Sequence, residues 1–352
     1  MRTPSRVKLI EALLPEAEGD GAALLLIAGM MRGEGQAARA VETCERVLAL
    51  PGVDAETVAR ARRFLSEGVP KWHFHIVRDT VRNAAYDAAL RRAIQPGMRV
   101  LEIGTGTGVL AMMAARAGAA EVITCEIDPA IARAAADTIA ANGYADRVRV
   151  LARDALAVTA ADLGGPMDLL VSETISNDVL GEHVLPLHEH AMRNLLRPGA
   201  PVIPARAVAR VALAEDISLD ARRLGTIDGF DLSVFNRLAA PTRRIKVQDS
   251  RLEVRSSTAD LFAFDLAVPE YCPPDGASVE IKATGGRING IVQWLVLALD
   301  AETPYEAGPG AQPPCTWGLM FHALPEPIET RPGDRLRIHG AHDRFQITLW
   351  SD

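Results

Sequence analysis

Val100-Leu101-Glu102-Ile103-Gly104-Thr105-Gly106-Thr107-Gly108 is the stretch that decides the fold of this chain. An apolar run of strand length enters glycines at alternate positions, and Leu110 to Ala117 then shows helical character. Strand, glycine turn and helix in that order let a ligand lie against bare backbone, because no Cβ intervenes. The dinucleotide fingerprint Gly-x-Gly-x-x-Gly needs its third glycine one residue beyond Gly108, which argues against a nicotinamide-dependent oxidoreductase.

Downstream of that motif, Glu121 to Glu126, Val148 to Ala152 and Asp168 to Ser172 read as further strands. Pro129 to Ala141 and His188 to Leu196 read as helices; Pro198-Gly199 closes the latter and Val202-Ile203 opens another strand. The alternation predicts an α/β, doubly wound parallel sheet over residues 67–205. Beyond Ala205, short β-like runs follow at Ala207 to Leu213, Arg251 to Val254, Leu261 to Val268, Ser278 to Ala283, Ile291 to Leu299, Leu319 to Leu324 and Arg335 to Ile338. Turn pairs such as Pro273-Pro274, Gly285-Gly286 and Pro332-Gly333 separate them, which predicts an antiparallel β-barrel or sandwich over 206–352. A mixed segment at about 216–249 is expected to project as an arm.

Residues 1–66 read as helical. Leu24, Leu25, Ala28 and Met31 share one face, and Val41, Cys44, Val47 and Leu48 mark a second helix ending at Pro51. Ala28, Ala40 and Pro51 fit one tetratricopeptide-like hairpin, with a generic helical cap as the plainer alternative.

The chain has 352 residues, 48% hydrophobic and 24% charged, with net charge −7, as expected of a soluble protein of two or three domains. The balance disfavours nucleic acid and is compatible with a cationic substrate. Cys44, Cys125, Cys272 and Cys315 form no Cys-x-x-Cys motif, so a reducing, cytoplasmic location is expected. Ala22 to Met31 is about half a membrane span, so no membrane insertion is expected. Arg2, Arg6 and Lys8 precede an apolar run broken by Glu11 and Pro15, which is too short for a signal peptide. His183, His188 and His190 do not place two ligands one helical turn apart, and no metal is expected.

Three acids follow the strands in order. Glu102 precedes the glycines, Glu126 ends the second strand where it can accept both hydroxyls of a ribose, and Asp154 follows the third. The plainer alternative is strand-end turn acids. With its glycines and Glu102, the opening stretch resembles the first motif of the class I S-adenosylmethionine methyltransferases. That resemblance implies S-adenosyl-L-methionine as cofactor and S-adenosyl-L-homocysteine as product. Glu102, Gly104, Thr105, Gly106, Gly108, Glu126 and Ile127 would hold the cofactor, with Asp154 at the adenine amine.

After the fourth strand comes Ser172-Glu173-Thr174-Ile175-Ser176-Asn177-Asp178-Val179-Leu180-Gly181-Glu182. Glu173 and Glu182 could fold back as a clamp for a guanidinium, whose fork of N–H donors suits paired carboxylates; two solvated loop acids are the bland alternative. The loop resembles the double-glutamate loop of the protein arginine methyltransferases. Further matches to that family are His73 and Arg82, nine apart, then Gly229-Phe230-Asp231 and Gly290-Ile291-Val292-Gln293-Trp294. The resemblance covers roughly residues 70–350. It implies a Rossmann-like half, a β-barrel half and an arm pairing two subunits as a homodimer. It also implies that Arg82 holds the cofactor's methionine carboxylate and that Glu173 serves the cofactor, with His73 and Ile76 beside it. Glu173 and Glu182 would be catalytic, and with Trp317 would bind the substrate.

The late loop departs from the family's Thr-His-Trp: it reads Cys315-Thr316-Trp317, while the partner aspartate is present as Asp79. The paired tyrosines expected before His73 are absent, Phe64 being the nearest aromatic, and Ile76 stands for a usual methionine. The implied reaction is N-methylation of an arginine guanidino group, on free L-arginine, a small guanidine or arginine in a protein. The rivals are a methyltransferase acting on a non-guanidine small molecule and an inactive binding module.

Overall fold

A computed structural model describes residues 6–312 and 315–352. Arg2 of the N-terminal segment lies outside the described residues. Among those described, helices α1 (Arg6–Glu16), α2 (Gly21–Gly33), α3 (Ala37–Ala49) and α4 (Ala55–Ser66) come first. Asp20 and Asp54 cap α2 and α4 by accepting from their first-turn amides. Ile10, Leu24, Met31, Cys44 and Val47 form a core of their own beneath them. The packing is thus a four-helix cap rather than one isolated hairpin. A single helical turn, α5 (His73–Ile76), and the longer α6 (Thr80–Ala93) lead into the sheet.

That sheet is built from β1 (Arg99–Ile103), α7 (Val109–Arg116), β2 (Glu121–Glu126), α8 (Pro129–Ala141), β3 (Val148–Ala152), α9 (Ala160–Leu163), β4 (Leu169–Ser172), α10 (Val184–Asn194) and β5 (Val202–Ile203). The strands are all parallel in the order β3-β2-β1-β4-β5. The order reverses between β1 and β4, and at such a reversal the loops at the strand ends part to leave a crevice. The glycine loop after β1 and Glu173 after β4 therefore face each other. A Cβ on Gly104 would lie 2.9 Å from Thr174 Cγ2. Helix α3 packs on α8, where Glu45 pairs with Arg133 at 3.4 Å.

Antiparallel pairing begins with β6 (Arg206–Asp216). An arm follows with α11 (Leu219–Arg222), β7 (Thr226–Ile227) and β8 (Phe230–Asp231). Its root is closed by an ion pair between Asp216, which is buried, and Arg243. Then come β9 (Thr242–Ile245), β10 (Leu252–Val254), β11 (Ala259–Asp265), β12 (Asp275–Lys282), β13 (Gly286–Ala298), β14 (Pro304–Glu306), β15 (Leu319–Thr330), β16 (Arg335–His342) and β17 (Ile347–Ser351). One sheet runs β10-β6-β13-β15-β9 with β11 on β6 and β14 on β13, and a second runs β12-β16-β17. Val100, Val122 and Leu169 of the parallel sheet share a continuous core with Val211, Ile291 and Leu295 of the antiparallel one.

Some expected boundaries move. Helix α10 starts at Val184 rather than His188, because His183 at φ 62° turns the chain into it. Strand β13 begins at Gly286, inside a pair read as a turn. Strand β15 continues through Pro325 and Pro327 to Thr330, since both prolines fall where its register with β13 shifts, between Ala323 and Ile328, and beyond the His322 end of its pairing with β9. Strands β9, β14 and β17 are short and owe their form to their neighbours. Among the described residues no helix is long and apolar enough to cross a membrane.

Candidate active site

A cavity of about 670 Å³ opens at the carboxyl ends of β1, β2 and β4. Gly104, Gly106 and Gly108 have φ of 87°, 52° and 81°, values that L side chains resist, so the loop needs glycine there. Gly104, Thr105 and Gly106 line the cavity, whereas Gly108 lies behind it as the N-cap of α7. Glu126 is fixed by two amides, Gly106 N and Asp128 N, each donating at 3.0 Å. Ile127, exposed, and Asp154, which accepts from Leu156 N at 2.9 Å, stand at the rim. Ile76 also lines the cavity, and His73 lies against the glycine loop with Trp72 stacked on it at 3.8 Å. Burial holds the His73 imidazole below its usual range, against the opposing charge of Asp128.

Glu102 lies at the cavity floor, accepting from Thr124 Oγ1 at 2.5 Å, and burial pushes it up to about 8. Glu102 Oε1, Thr174 Oγ1 and Arg82 Nε are buried polar atoms without a protein partner, and all three residues line the cavity. Two unfilled donors and an acceptor around a glycine cradle fit a ligand that is part nucleoside and part charged amino acid.

Glu173 and Glu182 enter the same cavity from one loop. Glu173 is engaged by Arg82 Nη2 at 2.6 Å, a buried pair. The Arg82 side chain, expected at the cofactor's carboxylate, thus bridges to the clamp, with Nη1 on Asn83 at 2.7 Å and Nε left over. Among the described residues no cation pairs with Glu182; its neighbours Glu173, Asp178 and Glu126 are acids. Burial first, then those charges, raise Glu182 to about 7. Burial also raises Glu173 to about 7 against the pull of Arg82.

The loop is held under strain. Val179, β-branched and buried, has φ 76°, an outlier for its type that only a constrained surrounding keeps in place. Ser176 Oγ bonds Asp178, and both accept from Gly181 N at 2.8 and 3.0 Å. A Cβ on Gly181 would meet both oxygens at 2.9 Å. Gly181→Ala should displace Glu182 and lower turnover by up to about 100-fold, the loss that follows a shift of about 1 Å. Steady-state kinetics beside an unchanged melting temperature is the check.

Trp317 does not line the cavity. It is buried behind the loop, its Nε1 donating to Ile175 O at 2.9 Å, so it braces the loop from behind. Among the supporting residues, Tyr305 and His322 had no local signal, whereas Gln293 stands in the matched Gly290-Ile291-Val292-Gln293-Trp294 run without its role being read. Tyr305 of β14 donates to Asp79 Oδ2 at 2.9 Å, and buried Gln293 donates to Asp178 O at 3.2 Å while His322 sits 3.2 Å from its Oε1. His188 and His190 spend ring nitrogens on Ser172, Leu266 and Val158.

The family model for ribosomal protein L11 methyltransferase matches residues 87–203. Among solved structures, the Trypanosoma brucei PRMT1 enzyme-prozyme complex with AdoHcy superposes with a TM-score of 0.72 at 21% identity, over 82% of this chain and 98% of that one. Arabidopsis thaliana protein arginine methyltransferase 10 gives 0.64 at 17%, over 79% and 94%. The fold is therefore that of the protein arginine methyltransferases. An arginine N(omega)-methyltransferase of Streptomyces achromogenes subsp. streptozoticus is 32% identical over 88% of this chain and 86% of its own length. Protein arginine N-methyltransferase 7 of Danio rerio is 28% identical over 78% of this chain, but the match spans only 44% of that longer protein. The chain belongs to the arginine N-methyltransferase family.

Proposed function

We propose that this protein transfers the methyl group of S-adenosyl-L-methionine to a guanidino nitrogen of arginine, releasing S-adenosyl-L-homocysteine. The observation that carries the reading is the pair Glu173 and Glu182 in one cavity, of which the half-buried Glu182 has no cation among the described residues. A planar guanidinium supplies the missing charge and enough N–H donors for both. Glu126 would hold the ribose, Asp154 the adenine side, and Arg82 Nε the methionine carboxylate.

The bound cofactor supplies an already activated sulfonium methyl. The side chains therefore have to position and polarise the acceptor. Glu173 and Glu182 bind separate N–H groups, draw positive charge toward those nitrogens and leave the third more nucleophilic. Glu173 or water then takes the released proton.

Both carboxylates must be ionised to form the clamp, and both sit near 7. Raised carboxylates regain their protons as pH falls through those values. The expected kcat/KM is level above about pH 8 and falls with a log slope approaching two below about pH 6. A flat profile from pH 5 to 9 would contradict the clamp.

Free L-arginine or another small guanidine is the first reading. The Streptomyces relative, matched over most of both chains, supports it by its name. Arginine in a protein is the second, favoured by the four-helix cap, a separate packing unit before the catalytic halves. Purified protein with S-adenosylmethionine, given free L-arginine or an arginine-rich peptide, is read by mass spectrometry for added methyl groups. Gain on the amino acid selects the first reading and gain on the peptide alone the second. Gain on neither, and on none of a panel of small guanidines offered in the same way, with cofactor bound, overturns the guanidinium assignment.

A homodimer formed through the arm is part of the proposal. Phe230, Val234, Phe235 and Leu238 stand 64–70% exposed there, a patch that pairing would cover. Four free thiols support a reducing, cytoplasmic location.

A further inference from the structure

We propose that Tyr305 is a positioning residue for the transfer reaction: through Asp79 its hydroxyl holds the helix that carries Arg82, and so sets the orientation of Glu173. The inference rests on the guanidinium reading above.

Tyr305 sits on the short edge strand β14, opposite Leu297 of β13. Its ring is buried edge-on against Trp317, with centroids 5.4 Å apart. Asp79 Oδ2 accepts from Tyr305 Oη at 2.9 Å and from Thr316 N at 2.9 Å. Asp79 Oδ1 accepts from Arg82 N at 2.9 Å, which makes Asp79 the N-cap of α6. The carboxylate is buried, and among the described residues no cation pairs with it. A buried charge of this kind depends on its hydrogen-bond donors. Two of the donors are backbone amides, and the hydroxyl is the one contributed by a side chain. From α6, Arg82 Nη2 reaches Glu173 at 2.6 Å. An unbroken path thus joins the barrel edge to the clamp.

The charged and titratable groups that face Glu173 are Arg82, with Asp79 at its helix cap, Glu182 from its own loop, and Tyr86, bonded to Ser172 O at 3.1 Å. Burial raises Glu173 most, and the Asp79 charge raises it further. Any change in how Asp79 is neutralised therefore registers in the acid limb of the pH profile.

The test compares Tyr305→Phe, Asp79→Asn and the double variant in the full chain, with S-adenosylmethionine and whichever guanidine substrate proves active. Tyr305→Phe should fold and melt somewhat below the parent, because the buried Asp79 carboxylate loses one of its three donors. Its kcat should fall about tenfold, the scale of one hydrogen bond to a charged group, with a smaller change in KM. Its acid limb should move to higher pH, because the Asp79 charge is less quenched. Asp79→Asn should move the limb to lower pH, and the double variant should lose no more than Asp79→Asn alone. Parental kcat and pH profile in Tyr305→Phe, or fully additive losses in the double variant, overturn the proposal. Should Tyr305→Phe not fold, an acid limb unmoved in Asp79→Asn overturns it equally. Full turnover in Glu173→Gln would instead sink the guanidinium reading, whereas an inactive Glu173→Gln beside a parental Tyr305→Phe removes only this inference.

Discussion

Glu173→Gln is expected to lower turnover by about 100-fold or more while S-adenosylmethionine still binds, because the change removes a charge aimed at the acceptor and keeps the shape. The glutamine Oε1 can still accept from Arg82 Nη2, which now donates to Glu173 at 2.6 Å, so the local frame survives. What is lost is the second negative charge of the clamp. A guanidinium between one carboxylate and one amide is less strongly polarised, and its free nitrogen attacks more slowly. Single-turnover rates at saturating cofactor, beside equilibrium binding of the cofactor, separate the two effects. Near-parental turnover would show that the charge at Glu173 plays no part in the transfer.

Glu182→Gln should lose activity on a similar scale and yet gain stability at alkaline pH. Glu182 is half-buried, faces Glu173, Asp178 and Glu126, and has no ion-pair partner among the described residues. Its proton is held up to about 7, above the ordinary 4.5 of an unfolded glutamate. A carboxylate raised on folding contributes stability that is complete below the unfolded value and is lost as pH rises through the folded one. Above pH 7 the parent therefore carries an uncompensated buried charge, and glutamine does not. The variant should be more stable at pH 8 by about 1–2 kcal/mol, and the two melting curves should converge near pH 5. A saturating guanidine substrate should stabilise the parent at pH 8 and the variant far less. A variant melting below the parent at pH 8 would mean that Glu182 already has a partner in the folded protein. Such a trade of stability for function is common where a site awaits a charged ligand.

Much of the sheet was legible in the chain because its signals are local. An apolar run entering Gly104, Gly106 and Gly108 specifies strand, turn and helix within a dozen residues, and Asp128-Pro129 carries its own helix start: the Asp128 carboxylate accepts from Ala130 N and Ile131 N. The acids Glu102, Glu126, Asp154, Glu173 and Glu182 stand at strand ends or in the loop after β4, where their spacing could be read directly. The sequence by itself thus determined the order of the parallel strands' elements and which acids are available. Tertiary structure alone decided which atoms meet. Arg82 lies 91 residues from Glu173, and Tyr305 lies 226 residues from Asp79, yet both pairs bond directly. No periodicity encodes such contacts, because they arise only when the barrel closes on the sheet. The same holds for the short strands β9 and β14, whose form is imposed by the ladders of β15 and β13. Trp317 was legible as an aromatic of the late loop. Only the packed core turned it toward Ile175 O, where its indole N–H finds the acceptor that a buried donor requires.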